Sequence, residues 1–287
     1  MGQFSKPWKD LTFSDNFIFC KVMLDKELCK RFIEILLDIK VSKIKYLNTE
    51  NHIENFYDSH GIRLDVYVKD SKRIFDLEIQ TGNYEDLLLR ARYYQSGSDV
   101  NTTKRKTQYK NLKETFILFI CLEDPFGAGI PVYTKYTKFL ETDTVPYDDK
   151  SHAVFYNASA YKKVTNNDEL KAVLRFVYKN QPDSEFTNKL KASSQEAKAH
   201  SEWEDDYMYF IDILEEEKYR VRKEARAEGR AEGRAEGRAE GRAEGRQEVQ
   251  SETALNLLKM NTLSTEQISQ ATGLSVEKIK ELETALN

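Results

Sequence analysis

The sequence has few of the residues that build disulfide, zinc or membrane proteins. Among its 287 residues only three are Cys, four are His and five are Pro. Three widely spaced cysteines in apolar surroundings form neither a disulfide framework nor a zinc site, so we expect core thiols in a reducing, cytoplasmic compartment. No apolar run approaches the roughly 20 residues that cross a bilayer. These absences predict a soluble protein with no membrane partner.

An excess of one charge sign is also lacking. Lys and Arg number 44 against 48 Asp and Glu, which gives a formal net charge of −4. This balance excludes a globally basic nucleic-acid coat, so contact with nucleic acid requires a local basic patch. The sequence contains no metal-spaced histidine pair, no Gly-rich phosphate loop followed by Lys and Ser/Thr, and no nucleophile elbow. Zinc, ATP and serine-hydrolase chemistry are therefore disfavoured.

What the chain does contain is a tandem repeat, Ala-Glu-Gly-Arg, five times over in residues 227–246. A helix of this repeat has nothing large and apolar to bury, and each Gly costs about 1 kcal/mol of helix propensity. We interpret residues 223–250 as a solvated spacer, with a self-association stalk as the alternative. The spacer separates a domain at 1–222, which ends in an amphipathic helix, from a small helical tail at 251–287.

The tail has the layout of a helix-turn-helix around Gly273. A small residue lies four positions before this glycine, and apolar residues lie one, six and nine positions after it. The expected second helix carries both Glu and Lys, with no row of Arg or Asn to contact bases. We therefore favour a docking or self-association unit over DNA reading, and a homo-oligomer through the repeat and tail is an expected assembly.

Residues 1–222 combine helical and strand patterns, which predicts a mixed α/β domain with a mixed sheet flanked by helices. Two alternating strands follow the first helical patterns, and a longer apolar run is typical of a buried central strand. The patterned segments in chain order are 13–23 and 28–39 (helices), 62–68 and 74–80 (strands), 84–96 (helix), 116–122 and 154–156 (strands), and a helix after Asn167 or Asp168.

The two alternating strands carry acidic residues on one face. Pairing their apolar faces places four polar side chains together on the other face: Asp65, Asp76, Glu78 and Gln80. A four-residue loop sets Asp65 directly opposite Glu78, whereas a two-residue loop makes this pair diagonal. Opposed like charges destabilise a sheet, and a cation would remove that cost. Two carboxylates and a main-chain carbonyl, such as that of Ile79, suit Mg²⁺.

A solvated acidic surface is the competing interpretation of this face. Acidic residues are common on exposed sheets, and Arg63 lies where it could neutralise one of them. Spacing alone does not decide between a metal site and a charged surface.

The order of these residues carries a resemblance. Asp65 is followed by Glu78-Ile79-Gln80 at the end of the next strand, and then by a helix with Arg90 and a Tyr93-Tyr94 pair. This arrangement resembles the PD-(D/E)xK nuclease superfamily and, more closely, the Rpn group of recombination-promoting nucleases and putative transposases. The similarity extends from residues 11–19 to 204–208. It implies a restriction-endonuclease-like core and a Mg²⁺-dependent DNA endonuclease linked to recombination or mobile elements.

The same resemblance implies roles for the hairpin residues. Asp65 and Glu78 would bind the metal, and Gln80 stands where the broader superfamily has lysine. Because glutamine has no ionisable proton, Gln80 could only orient the attacking water, so the general base stays unassigned and the cation would generate the nucleophile. A catalytically inactive nucleic-acid-binding or assembly protein that retains the fold is the second hypothesis.

Auxiliary positions follow from the resemblance and from helical spacing. Asp15 matches the family's first acidic position, with helix N-cap as the alternative. Arg90 and Tyr94 share one helix face and could hold phosphate, although Tyr94 is equally interpretable as a core aromatic. A basic segment downstream is expected to contact DNA phosphates, with a solvated loop as the alternative; its residues are Lys104, Arg105, Lys106, Lys110 and Lys113.

Overall fold

The computed structural model describes residues 6–53, 62–82, 84–103 and 108–286. The chain divides into two compact units, Met1–Ile211 and Asp212–Asn287. Among the described residues no helix is both long enough and apolar enough to span a bilayer.

The first unit is a mixed α/β fold, which confirms the fold class expected from the sequence. Its described strands form one sheet of six in the order β1-β2-β3-β4-β6-β5, in which β3, β4 and β6 are parallel and the other neighbours antiparallel. The strands are β1 (Tyr46–Ile53), β2 (Ile62–Lys69), β3 (Arg73–Gln80), β4 (Glu114–Cys121), β5 (Val132–Thr134) and β6 (Ser151–Asn157).

Helices cover both faces of this sheet. The helices of the first unit are α1 (Asn16–Met23), α2 (Lys26–Leu37), α3 (Leu87–Thr102), α4 (Asp168–Lys179), α5 (Glu185–Ala199) and the start of α6 (Ser201–Met260). The larger core joins α1, α2 and α4 to the apolar side chains of the hairpin, which are Val66, Val68, Phe75, Leu77 and Ile79. A second core lies under α3, where Leu87 and Ala91 meet Phe119. The three cysteines are buried free thiols, as expected.

The β2–β3 hairpin has the register that the four-residue loop predicts. Lys69 pairs with Ile74 and Val66 pairs with Leu77, so residues 70–73 form the connection. Asp70 closes this loop, because its buried carboxylate accepts hydrogen bonds from the backbone N–H of Lys72 and Arg73. Burial alone would raise the pKa of Asp70, but these hydrogen bonds and the Arg73 side chain lower it. The loop therefore fixes the alignment of both strands.

The repeat is helical in the structure, within one continuous helix, α6. The glycines would make an isolated helix of this repeat marginal. Here the repeat extends a helix whose first turns are already formed, so the nucleation cost is avoided. Tyr207 is buried at the start of α6, whereas Val221 is exposed and the repeat that follows is largely exposed. The solvated character of the repeat thus agrees with its composition.

The second unit ends in three packed helices. The end of α6 and the helices α7 (Thr265–Thr272) and α8 (Val276–Leu286) share a small core of Ala254, Ile268 and Ile279. Ser264 caps α7 with a capping box, and Gly273 ends it in the left-handed region. These elements reproduce the helix, turn and helix expected around Gly273.

Candidate active site

The two acids of the hairpin meet where β2 and β3 stop pairing through their backbones. The described ladder runs as far as Val66 opposite Leu77. At the next position the backbone N–H of Asp65 donates to Glu78 Oε1 at 3.0 Å, and the N–H of Ile79 donates to Asp65 Oδ2 at 3.2 Å. Each carboxylate therefore accepts a bond from the opposite strand, and the pair is held face to face.

This acidic face is buried, so the interpretation as a solvated surface is wrong. Asp65 is 8% exposed, Glu78 2% and Asp76 0%. The physical reason is α3, which packs Leu87 and Ala91 over this side of the sheet. The side chain of Arg63, offered as a neutralising partner, lies outside the described side chains.

Arg90 is the described cation that reaches the acids from α3. Its guanidinium lies 3.4 Å from Glu78 Oε2 and donates to Gln80 Oε1 and to the hydroxyl of Tyr94, both at 3.2 Å. Charge-assisted hydrogen bonds are usually 2.7–2.9 Å long, and all three contacts of Arg90 are longer than this. Arg90 is therefore shared among three acceptors and binds none of them tightly. Arg90 and Tyr94 thus join Glu78 and Gln80 in one group, on the helix face that the sequence predicted.

Tyr94 combines the two roles that the sequence left open. Its ring stacks on Phe119 with centroids 6.1 Å apart, as a core aromatic does, while its hydroxyl accepts from Arg90. Burial and the nearby charge of Glu78 raise the pKa of Tyr94 to about 12, against the opposing effect of Arg90. Tyr94 is therefore a neutral hydroxyl at ordinary pH.

Asp76 also lies on this acidic face, as the strand alternation predicted, but the sequence indicated no role for it. It is fully buried, and neither carboxylate oxygen has a hydrogen-bond partner among the residues that the structure describes. Burial and the charge of Asp65 raise the pKa of Asp76 well above its ordinary value, although Arg90 works against this. Its alternation with Glu78 was the available signal, but alternation cannot reveal that α3 removes the face from water.

The electrostatics of the site favour a bound cation. Burial, followed by the charges of Asp65 and Asp76, raises the pKa of Glu78 well above its ordinary value despite the bonds from Asp65 N–H and the charge of Arg90. Ionised, these three acids and Arg90 sum to −3 + 1 = −2 among the described side chains, which one divalent cation balances. Hard carboxylate oxygens suit Mg²⁺, and a carboxylate has about four lone-pair positions, so one N–H bond does not fill it.

The donor set is nevertheless small. Within the described part of the chain, no three or more His, Cys, Asp and Glu side chains are grouped so as to hold a metal ion together. The candidate ligands are therefore those expected from the sequence, Asp65 and Glu78 with a main-chain carbonyl, and Asp76 adds charge next to them.

Asp15 stands at the first position before α1, but its carboxylate does not cap that helix. It accepts from the backbone N–H and hydroxyl of Thr12 at 2.7 and 2.9 Å and pairs with Lys6 at 2.8 Å. Asp15 therefore occupies the N-cap position, as the alternative predicted, but its side chain does not make the capping hydrogen bond to α1. The contacts of Asp15 hold the loop before α1, and its part in catalysis stays a prediction.

The described part of the basic segment, Lys110 and Lys113, is not brought to the acids. Lys104, Arg105 and Lys106 lie outside the described residues. Lys110 is exposed on a short 3₁₀ turn before β4, at Tyr109–Asn111. In the parallel β3–β4 pair, Arg73 lies opposite Glu114 and Glu78 opposite Phe119, so the turn and the acids are at opposite ends of the strands.

Comparison with known proteins gives one result that bears on function. No curated protein and no solved structure matches the chain. A family model described as PD-(D/E)XK nuclease family transposase matches residues 7–202, which include both strands of the hairpin and α3. Members of this family are nuclease-fold proteins linked to transposition, as the family's description states. The match covers well over half of the chain, and this chain therefore belongs to the PD-(D/E)XK nuclease family of transposases.

Proposed function

We propose that the chain is a divalent-cation-dependent DNA endonuclease that hydrolyses phosphodiester bonds at the β2–β3 hairpin. The observation that carries this proposal is the buried pair of Asp65 and Glu78, held face to face where the backbone ladder ends. Nucleases of this superfamily generally use divalent metal ions on DNA, and the family match covers the whole hairpin. The excess negative charge among the described side chains of the site supports a cation there.

Asp65 and Glu78 are the residues that would hold the cation, with a main-chain carbonyl as a third oxygen. When bound, a divalent cation activates water and stabilises negative charge on the scissile phosphate. The opposite-strand N–H groups fix one oxygen of each carboxylate, which orients both side chains before the cation arrives. This preorganisation lowers the cost of assembling the site.

Gln80 and Arg90 position the reacting groups in this proposal. The Oε1 of Gln80 accepts from Arg90, so the amide NH₂ of Gln80 is the end that can donate to a water or a phosphate oxygen. Arg90 also draws Glu78 and Tyr94 to the same point and lessens the repulsion among the acids. Gln80 cannot act as the general base, because a neutral amide does not take up a proton at ordinary pH.

Nicking of supercoiled plasmid with Mg²⁺ tests the proposal. We expect Asp65→Asn and Glu78→Gln to lower the nicking rate by ~100-fold or more, because each removes a charge that would hold the cation while keeping the side chain's shape. The matched control is Asp143→Asn, on an exposed side chain that pairs with Lys138, and it should nick at the wild-type rate.

A second measurement separates binding from chemistry. Mg²⁺ should raise the melting temperature of the wild type and of Asp143→Asn, and raise that of Asp65→Asn and Glu78→Gln much less, because a ligand stabilises the state that binds it. Nicking that survives both substitutions would overturn the assignment of the site. No nicking by the wild type with Mg²⁺ or Mn²⁺ would overturn the endonuclease activity itself.

A further inference from the structure

A basic groove lies at the end of β3 opposite to Glu78. Two cavities of about 460 and 500 Å³ adjoin there and share Ser71, Lys72 and Glu114 in their walls. We use "basic groove" for both together. Its charged residues are Lys40, Lys72, Arg73, Lys110, Lys113 and Lys150, with Asp70, Glu114 and Asp148. Six cations against three acids give a local charge of +3 in a chain whose net charge is −4.

The acids of the basic groove are already engaged. Asp70 is 1% exposed and pairs with Arg73 at 2.9 Å. Glu114 contacts His152 at 3.1 Å, and Asp148 accepts from the backbone N–H of Lys150. These contacts occupy part of each carboxylate, and the six cations outnumber the three acids, so the electrostatic field in the groove is positive.

Charged side chains also build the walls of the basic groove. The ammonium group of Lys150 donates to the carbonyls of Lys110 and Leu112, which ties the approach to β6 to the turn before β4. On the other side, Arg73 donates to the carbonyl of Lys40 at 2.7 Å. The groove is therefore preformed and does not depend on a ligand for its shape.

Four lysines remain to face a ligand. Among the residues that the structure describes, the ammonium groups of Lys40, Lys72, Lys110 and Lys113 take part in no ion pair. The charges of this region lie close together: burial lowers the pKa of Lys69, and the charge of Lys113 lowers it further. An anion would relieve the repulsion among them.

We propose that the basic groove binds backbone phosphates of the DNA on which the active site acts. A row of lysines matches a row of phosphates, because lysine ammonium groups act as point charges that position a backbone without sequence selection. This inference rests on the proposed function for the identity of the substrate. The inference adds a second DNA-contacting surface, at the end of β3 that lies away from Asp65 and Glu78.

The strand between the two sites sets their separation. Arg73 and Glu78 are five residues apart on β3, or ~17 Å at the rise of a β-strand. This length corresponds to ~5 base pairs of B-form DNA. A duplex that ends closer than this to the cut would lose the contacts with the basic groove.

Binding without cleavage tests the inference. The full chain is titrated into a fluorescent 30-base-pair duplex in EDTA, and anisotropy is followed at several salt concentrations. We expect Lys72→Gln combined with Lys113→Gln to weaken binding ~10-fold and to reduce the slope of log K against log salt by ~2. The charge-matched control combines Lys26→Gln and Lys162→Gln, two exposed lysines outside the groove, and should bind as the wild type.

The outcomes separate this inference from the endonuclease proposal. Equal binding by the groove variant and its control, or no DNA binding by the wild type, would overturn the proposal that the basic groove binds DNA. The endonuclease proposal would still be tested separately, by the nicking assay. Weakened DNA binding by the groove variant in a protein that never nicks would support the groove and count against the endonuclease. If the groove variant loses affinity for tripolyphosphate but not for the duplex, the assignment to DNA is wrong.

Discussion

Asp76 is the residue whose burial has the clearest thermodynamic consequence. Its pKa and that of Glu78 are raised in the folded protein, chiefly by burial. Above about pH 4 the unfolded chain releases protons that the folded chain retains, so the free energy of unfolding falls as pH rises through this window. Each retained proton contributes a slope of about 1.4 kcal/mol per pH unit.

We expect Asp76→Asn to remove one such proton. In EDTA its free energy of unfolding should fall less steeply with pH than that of the wild type, and at pH 8 the variant should be more stable by at least ~1 kcal/mol. Urea denaturation between pH 5 and 8 measures this difference. Asp143→Asn is the control, since its 80% exposed carboxylate should leave the curve unchanged. Parallel curves for Asp76→Asn and the wild type would contradict the prediction.

Residue-level chemistry was only partly predictable from the sequence. Parity of the two strands placed Asp65, Glu78 and Gln80 on one face, and helical spacing placed Arg90 beside Tyr94. The burial of this face was not predictable, because it depends on how α3 crosses the sheet. For the same reason the contact of Arg90 with Glu78 and Gln80 could not be read from positions in the chain.

At the scale of elements, segments with a strong apolar pattern were predicted correctly, whereas a strand with a polar sequence was missed. The apolar run at 116–122 corresponds to β4, and Asn167 caps α4 as expected. β1 was missed because Asn-Thr-Glu-Asn-His, at its centre, has no alternating apolar residues, and its pairing with β2 supplies the structure instead. The helix expected from residue 84 begins at Leu87, because Asp86 adopts a left-handed conformation before it.

The repeat helix offers a prediction at this scale. Added Cβ atoms at the five repeat glycines, 229, 233, 237, 241 and 245, meet nothing within 4 Å. Replacing all five with Ala should stabilise the helix by ~1 kcal/mol per position, because only the backbone entropy of Gly is removed. We expect slower hydrogen exchange across residues 227–246, measured by mass spectrometry on the full chain.

A glycine with a different conformation supplies the contrast. Gly273 has a φ of +76°, and a Cβ there would lie 3.2 Å from Gln250 Nε2. Gly273→Ala should therefore accelerate exchange in α7 and α8, opposite in sign to the repeat substitutions. Unchanged exchange in the five-Ala variant would mean that the repeat glycines do not limit helix stability.

At the scale of the whole molecule, the chemistry and the assembly are predicted to reside in different units. The residues proposed for catalysis lie between Asp15 and Tyr94, the basic groove extends to Lys150, and the family match ends at residue 202. A chain ending at Lys223 should therefore nick plasmid at the wild-type rate. If the repeat and tail mediate self-association, light scattering should give a multiple of the chain mass for the full protein and a single mass for the truncated one. If both proteins contain the same number of chains per particle, the repeat and tail have no role in assembly.

Asp65 and Glu78 serve the architecture as well as any reaction. Each accepts a peptide N–H from the opposite strand just beyond the described ladder, and a buried amide left without such a partner costs ~1–3 kcal/mol. Selection for a stable fold would therefore preserve both acids in descendants that had ceased to cut nucleic acid. A survey of genomes that counts this pair of carboxylates would overestimate the number of working enzymes.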